Sequence, residues 1–82
     1  MIFQAEIDIM PHGELLDPQG KATLQGLRQL GMLAVQDVRI GKHIRLHIEA
    51  ASEEEALQMA EAACQKLLAN PVMESYAVRI LR

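Results

Sequence analysis

The side chains that could do chemistry are few: His12, His43 and His47, the single Cys64, and the acidic run Glu53-Glu54-Glu55. Two histidines on one strand face can ligate a metal, a thiolate can attack a carbonyl, and clustered carboxylates can hold a hard cation. The spacing argues against each. His43 and His47 are four residues apart on a strand-like stretch, about 13 Å, too far to share one ion. Ser52-Glu53-Glu54-Glu55 reads as a helix start, with Ser52 and Glu55 as a capping box and three acids at the positive end of the helix dipole. Cys64 falls in the apolar arc of that helix with no basic partner at a readable spacing, so it reads as a packed thiol. Asp17-Pro18-Gln19-Gly20 could cradle a phosphate at a helix start, but Asp17 would repel the anion. A capped helix, with Asp17 as N-cap and Pro18 in the first turn, is the better reading. There is no Gly-rich phosphate loop, no His-Glu metal helix and no Gly-x-Ser-x-Gly elbow. No catalytic, cofactor-binding or metal site is expected in this chain.

The elements that position these residues are organised around Val35–Glu49. Val38, Ile40, Ile44, Leu46 and Ile48 share one parity, while Asp37, Arg39, His43, Arg45, His47 and Glu49 take the other. Such alternation marks a half-buried strand. Gly41-Lys42 interrupts it in the manner of a type II′ turn, which predicts antiparallel strands at about 35–40 and 43–50. One long strand with a bulge at Gly41 is the competing reading. Ile2–Ile9 alternates as a first strand and stops at Pro11 and Gly13. The helix after Asp17 runs to about Leu30, with Leu24, Leu27 and Leu30 as a stripe and Gly31 as the left-handed exit. Gly26 inside it costs roughly 1 kcal/mol against alanine, which points to close packing there. The second helix runs from Ser52 to about Ala69 and closes at Asn70-Pro71, with Asn70 in the left-handed position. Its apolar arc is wider than one sheet contact needs. Val72–Leu81 is the last strand.

The order β-α-β-β-α-β predicts an α+β, ferredoxin-like two-layer sandwich, an antiparallel sheet with two helices on one face. Residues 1–82 are expected to form a single domain. Half of the residues are hydrophobic, yet there is one Phe, one Tyr and no Trp. A chain this short and this aliphatic is expected to bury surface against another chain. The net charge of −3 disfavours nucleic acid and anionic membrane as partners. A single cysteine, with no membrane-length apolar run and no visible secretory signal, predicts a cytoplasmic location. An RNA-recognition module would carry stacking aromatics where the central strands show Asp, Arg and His. An acylphosphatase-like enzyme would need a phosphate loop after the first strand, where Glu14-Leu15-Leu16-Asp17 offers acid and apolar groups.

Three stretches, taken together, resemble one family. They are Leu16-Asp17-Pro18-Gln19-Gly20, then Val35-Gln36-Asp37-Val38-Arg39-Ile40-Gly41-Lys42, then Cys64 through Tyr76, including Ala69-Asn70-Pro71-Val72-Met73-Glu74-Ser75. In order and spacing they are similar to PurS, the small subunit of phosphoribosylformylglycinamidine synthase, over essentially the whole chain. One departure is Pro11-His12-Gly13-Glu14, where the family often has a lysine followed two residues later by glycine. The resemblance implies a non-catalytic accessory subunit in purine biosynthesis. Its complex converts formylglycinamide ribonucleotide to formylglycinamidine ribonucleotide with ATP and glutamine. It implies two partners, a large synthetase subunit and a glutaminase subunit, and a homodimer or dimer of dimers. ATP and magnesium are then expected on the synthetase, with no cofactor held by this chain. The family's Val-Arg-x-Gly-Lys pattern makes Arg39, Gly41 and Lys42 candidate partner contacts. The rival reading is a ferredoxin-like sensor domain that binds an amino acid at a dimer interface, using Pro11-His12-Gly13. An isolated phosphohydrolase ranks below it.

Overall fold

The computed structural model describes residues 1–13 and 17–82. The acid and apolar groups read at Glu14, Leu15 and Leu16 lie outside the described residues. The elements run β1 (Ile2–Pro11), α1 (Pro18–Gln29), β2 (Lys42–Glu49), α2 (Glu53–Ala63) and β3 (Glu74–Leu81). A π-helical turn, Cys64–Leu68, continues α2. The sheet is antiparallel throughout, in the order β2-β1-β3. The fold is α+β and ferredoxin-like.

Register follows from the alternation. Phe3, Ala5 and Ile7 stand opposite Ile48, Leu46 and Ile44 on one side. Ala5, Ile7 and Ile9 stand opposite Ile80, Val78 and Tyr76 on the other. A one-residue slip would turn every apolar residue to the opposite face, so burial of one face selects this pairing. Ala56, Ala60 and Cys64 recur every four residues and are fully buried. Their small side chains let α2 settle on the sheet against Phe3, Ile7 and Ile9. Burying an isoleucine side chain is worth about 1.5–3 kcal/mol, and Ile7, Ile9 and Cys64 are the largest fully buried side chains.

Three expectations are corrected. Residues 35–40 do not pair back on 43–50: β1 alone is β2's neighbour, and 35–41 run on from β2 as extended chain. Gly41 has no positive φ, so it cannot start a type II′ turn; one long strand with a bulge does not form either, because β2 begins only at Lys42. Second, α1 contributes no residue to either core cluster, and an alanine Cβ at Gly26 would meet nothing within 4 Å. The radius of gyration is 16.2 Å and the long axis 51 Å, against about 12 Å for a compact chain of this length. The helix and the 35–41 run form an arm. Third, Asn70 is not left-handed, since Gly31 is the sole described residue with a positive φ. The second helix instead leaves through the π turn into an extended Ala69. Asn70 Oδ1 accepts from the N–H groups of Val72 at 3.0 Å and Met73 at 3.3 Å, organising the turn into β3.

Candidate partner-contact site

The root of the arm brings together Asp17, Pro18, Gly20, Arg39, Gly41 and Lys42. Pro18 opens α1, where a missing N–H costs nothing. Asp17, in extended conformation, caps it by accepting from Gly20 N at 3.0 Å. Its second oxygen accepts from Ile40 N at 2.9 Å. One carboxylate thus ties the helix start to the extended run. The Gly20 bond first, and then that from Ile40, hold the Asp17 carboxyl below the usual carboxylate range.

Two glycines make the approach possible. A Cβ at Gly20 would lie 2.1 Å from the Val38 carbonyl oxygen, and one at Gly41 would lie 2.1 Å from that of Ile9. Both positions require a bare backbone, which gives the glycines of the sequence pattern a steric reason. Arg39 lies between them. Its guanidinium donates to the Gly13 carbonyl and to Asp37 Oδ2, the latter at 3.3 Å. Lys42 opens β2 and is exposed. Gly31 ends α1 with φ +89, with Met32 N bonded to Leu27 O and Gly31 N to Arg28 O. That pairing is the Schellman closure.

The remaining caps are elsewhere. Ser52 Oγ accepts from Glu55 N at 3.2 Å at the start of α2, away from the arm's root. Cys64 is a buried free thiol, and burial first, then the charge of Glu61, push its pKa up. That keeps it a thiol rather than a nucleophilic thiolate. Among the described residues no group of acids, histidines and cysteine could hold a metal ion. No helix among them is long and apolar enough to cross a membrane.

Sequence reasoning missed a polar cluster on the sheet face opposite α2. Glu6 is only 5% exposed. Its carboxylate accepts from Arg45 Nε at 2.9 and 3.1 Å and from Gln4 at 2.9 Å, and it meets His43 Nε2 at 3.0 Å. His43 Nδ1 lies 2.6 Å from Asp8. Arg45, then His43, lower the Glu6 pKa to about 2, and Asp8, then Glu6, raise that of His43. The cluster exists only in the β1–β2 register, which no local pattern states. Gly20 did carry a signal: a glycine in a helix's first turn defies propensity.

The sequence and the fold are similar to those of known proteins. The sequence matches the PurS family, described as phosphoribosylformylglycinamidine (FGAM) synthase, over residues 4–82. The chain belongs to the PurS family. It is 39% identical to the phosphoribosylformylglycinamidine synthase subunit PurS of Thermotoga maritima over 80 residues, 98% of both chains. It is 48% identical to the Archaeoglobus fulgidus subunit over 62 residues, 76% of this chain and 78% of that one. Among solved structures, it superposes on a chain of the Thermotoga maritima PurLQS structure with a TM-score of 0.89 and 38% identity, covering 99% of both chains. Those similarities lend no support to the amino-acid sensor reading.

Proposed function

We propose that this PurS-family chain serves as the non-catalytic assembly subunit of a phosphoribosylformylglycinamidine synthase in purine biosynthesis. The observation that carries the reading is the end-to-end likeness to a chain of the PurLQS structure. The partners are the large synthetase subunit, which binds ATP and magnesium, and the glutaminase subunit that supplies ammonia. The setting is the cytoplasm, and the chain works as a homodimer or dimer of dimers.

The root of the arm is the contact surface. Arg39 and Gly41 set its shape, since Arg39 bonds the run to the Gly13 carbonyl beyond the end of β1 and Gly41 lets the backbone approach Ile9, while Lys42 presents an exposed ammonium beside them. A surface held this way loses little ordering entropy on docking. The test is the double variant Arg39→Ala with Lys42→Ala in a reconstituted complex. Circular dichroism scores the fold, and glutamine-dependent amidation scores function. A folded double variant that fails to support turnover is the expected result. Unchanged assembly and turnover would remove this surface from the contact.

A further inference from the structure

We infer that the outer edge of β3 docks an extended segment of a different protein chain, which adds to the sheet as an antiparallel strand. The segment carries apolar residues at alternate positions and a lysine or arginine at its N-terminal end. This surface lies across the sheet from the arm's root and does not depend on the contact proposed there.

The ladder shows which backbone groups are open. His12 N donates to Met73 O at 2.9 Å, one step beyond the Pro11–Glu74 pair of β1 with β3. Bonded pairs alternate along an antiparallel ladder, so Ser75, Ala77, Arg79 and Leu81 turn their amides to β1. Pro11, with no N–H to give, falls in a non-bonded pair with Glu74. The N–H and C=O groups of Tyr76, Val78 and Ile80 therefore point away from β1, and among the described residues no strand lies beyond them. Glu74 N is already bonded to Asn70 O at 2.7 Å, so the open edge begins at Tyr76. Edge strands are commonly guarded by proline, lysine or a bulge. Glu74–Leu81 has neither residue, and its register on β1 is unbroken.

Packing supplies an apolar floor. The small residues of α2 seat it over Phe3, Ile7 and Ile9 of the central strand, which leaves Tyr76, Val78 and Ile80 half-buried. Between β3 and α2 lies a groove of about 290 Å³, lined by Glu53, Glu54, Leu57, Val78 and Ile80. Leu57 is 37% exposed in it. Further along, Tyr76 Oη donates to Glu61 at 3.1 Å and accepts from Gln65 at 3.3 Å, which fixes the spacing of helix and strand. An added strand would send every second side chain to the helix side, beside Val78 and Ile80. Strand addition of this kind takes its affinity from main-chain bonds and its specificity from alternate side chains.

Charge selects the occupant. The flank of α2 on this side carries Glu53, Glu54 and Glu61. Among the described residues one ion pair answers them, Arg82 with Glu53 at 3.4 Å, and both partners are more than half exposed. A cationic segment is therefore complementary, and complementary charge is what sets register and rejects wrong partners. A second copy is not: two β3 edges paired about a two-fold axis would bring identical acidic flanks face to face. The polarity of the segment follows as well. Arg82 meets Glu53 while Tyr76 meets Glu61, so α2 starts beside the end of β3. Glu53 and Glu54 thus stand where an antiparallel segment begins, which puts its cation at the N-terminal end.

The test titrates the full chain with the blocked peptide Arg-Thr-Val-Thr-Val-Thr-Val, followed by amide NMR and hydrogen exchange. The expected result is saturable binding that protects the amides of Tyr76, Val78 and Ile80 and weakens with added salt. The valines share the helix side with these residues, so their own amides face β3. N-methylation of the valine amides is expected to abolish binding, and N-methylation of the threonine amides to leave it. Glu54→Lys, at an exposed helix position, is expected to keep the fold and to weaken the arginine peptide by about 3- to 10-fold, as one rim attraction becomes a repulsion. The same variant should bind the peptide with Glu in place of Arg more tightly by a similar factor. No binding at millimolar peptide, equal loss from both methylation patterns, or an unchanged preference in Glu54→Lys would each overturn the proposal. Protection of the three amides that rises with the chain's own concentration, without peptide, would give the edge to a second copy and overturn it too.

Discussion

Replacing Gly20 with alanine should damage this protein, and replacing Gly26 in the same helix should not. In an exposed helix either change would ordinarily gain about 0.5–1 kcal/mol, because glycine loses more backbone entropy on folding. At Gly26 nothing lies within 4 Å of the new methyl group, so that gain should appear in full. At Gly20 the methyl would sit 2.1 Å from the Val38 carbonyl oxygen and 2.7 Å from Asp17 Oδ2. Carbon and oxygen need more than 3 Å, and the nearer obstacle is backbone, so helix and extended run must part by about 1 Å. Overpacking of this kind costs about 1–3 kcal/mol, and the separation also strains the bond from Ile40 N to Asp17. The net expectation is a loss of about 1–2 kcal/mol for Gly20→Ala. For a domain of this size each kcal/mol moves Tm by about 4–8 °C, so the two variants should melt on opposite sides of the parent by calorimetry. All three must be compared at one protein concentration, because association shifts Tm. A Gly20→Ala protein as stable as the parent would show that the close approach of α1 to Val38 does not hold the arm.

Ser52→Ala should lower stability by about 1 kcal/mol in urea titration through loss of its cap. Asp17→Ala should lower it further, and Asp17→Ser should not restore it, since one hydroxyl cannot serve both Gly20 N and Ile40 N; full rescue by serine would refute the tie to the extended run. Stability should also depend on pH through the Glu6–His43–Asp8 cluster. Glu6 has a depressed pKa, so its contribution is present above its ordinary 4.5 and is lost as pH falls towards about 2. The His43 pKa is raised, so its contribution is complete below its ordinary 6.5 and fades as pH climbs through the raised value. Melting temperatures across pH should show Glu6→Gln flattening the acid limb and His43→Gln the upper limb; parallel profiles for parent and variants would refute the coupling.

Much of this fold is local in origin. The alternation of Ile2–Ile9 marks β1, Asp17-Pro18 and Gly31 bracket α1, and Ser52 opens α2. Each depends on dihedral preferences and capping within a few residues, so the chain states them wherever it is read. The three stretches that resemble PurS are likewise legible, because glycine and N-cap requirements leave spaced, unambiguous residues. What alternation cannot state is which strand lies alongside. Residues 35–40 have the pattern of a strand, but among the described residues no strand pairs with them. A glycine at 41 suits either a turn with positive φ or a close backbone approach, and only the position of Ile9 decides for the second. The Glu6 cluster depends in the same way on residues 37 and 39 positions away. Asp17 reads as a cap from its neighbours, yet its bond to Ile40 crosses 23 residues. Short-range backbone energetics set the elements, whereas pairing, burial and the arm's direction depend on contacts whose partners are fixed only when the whole chain has folded.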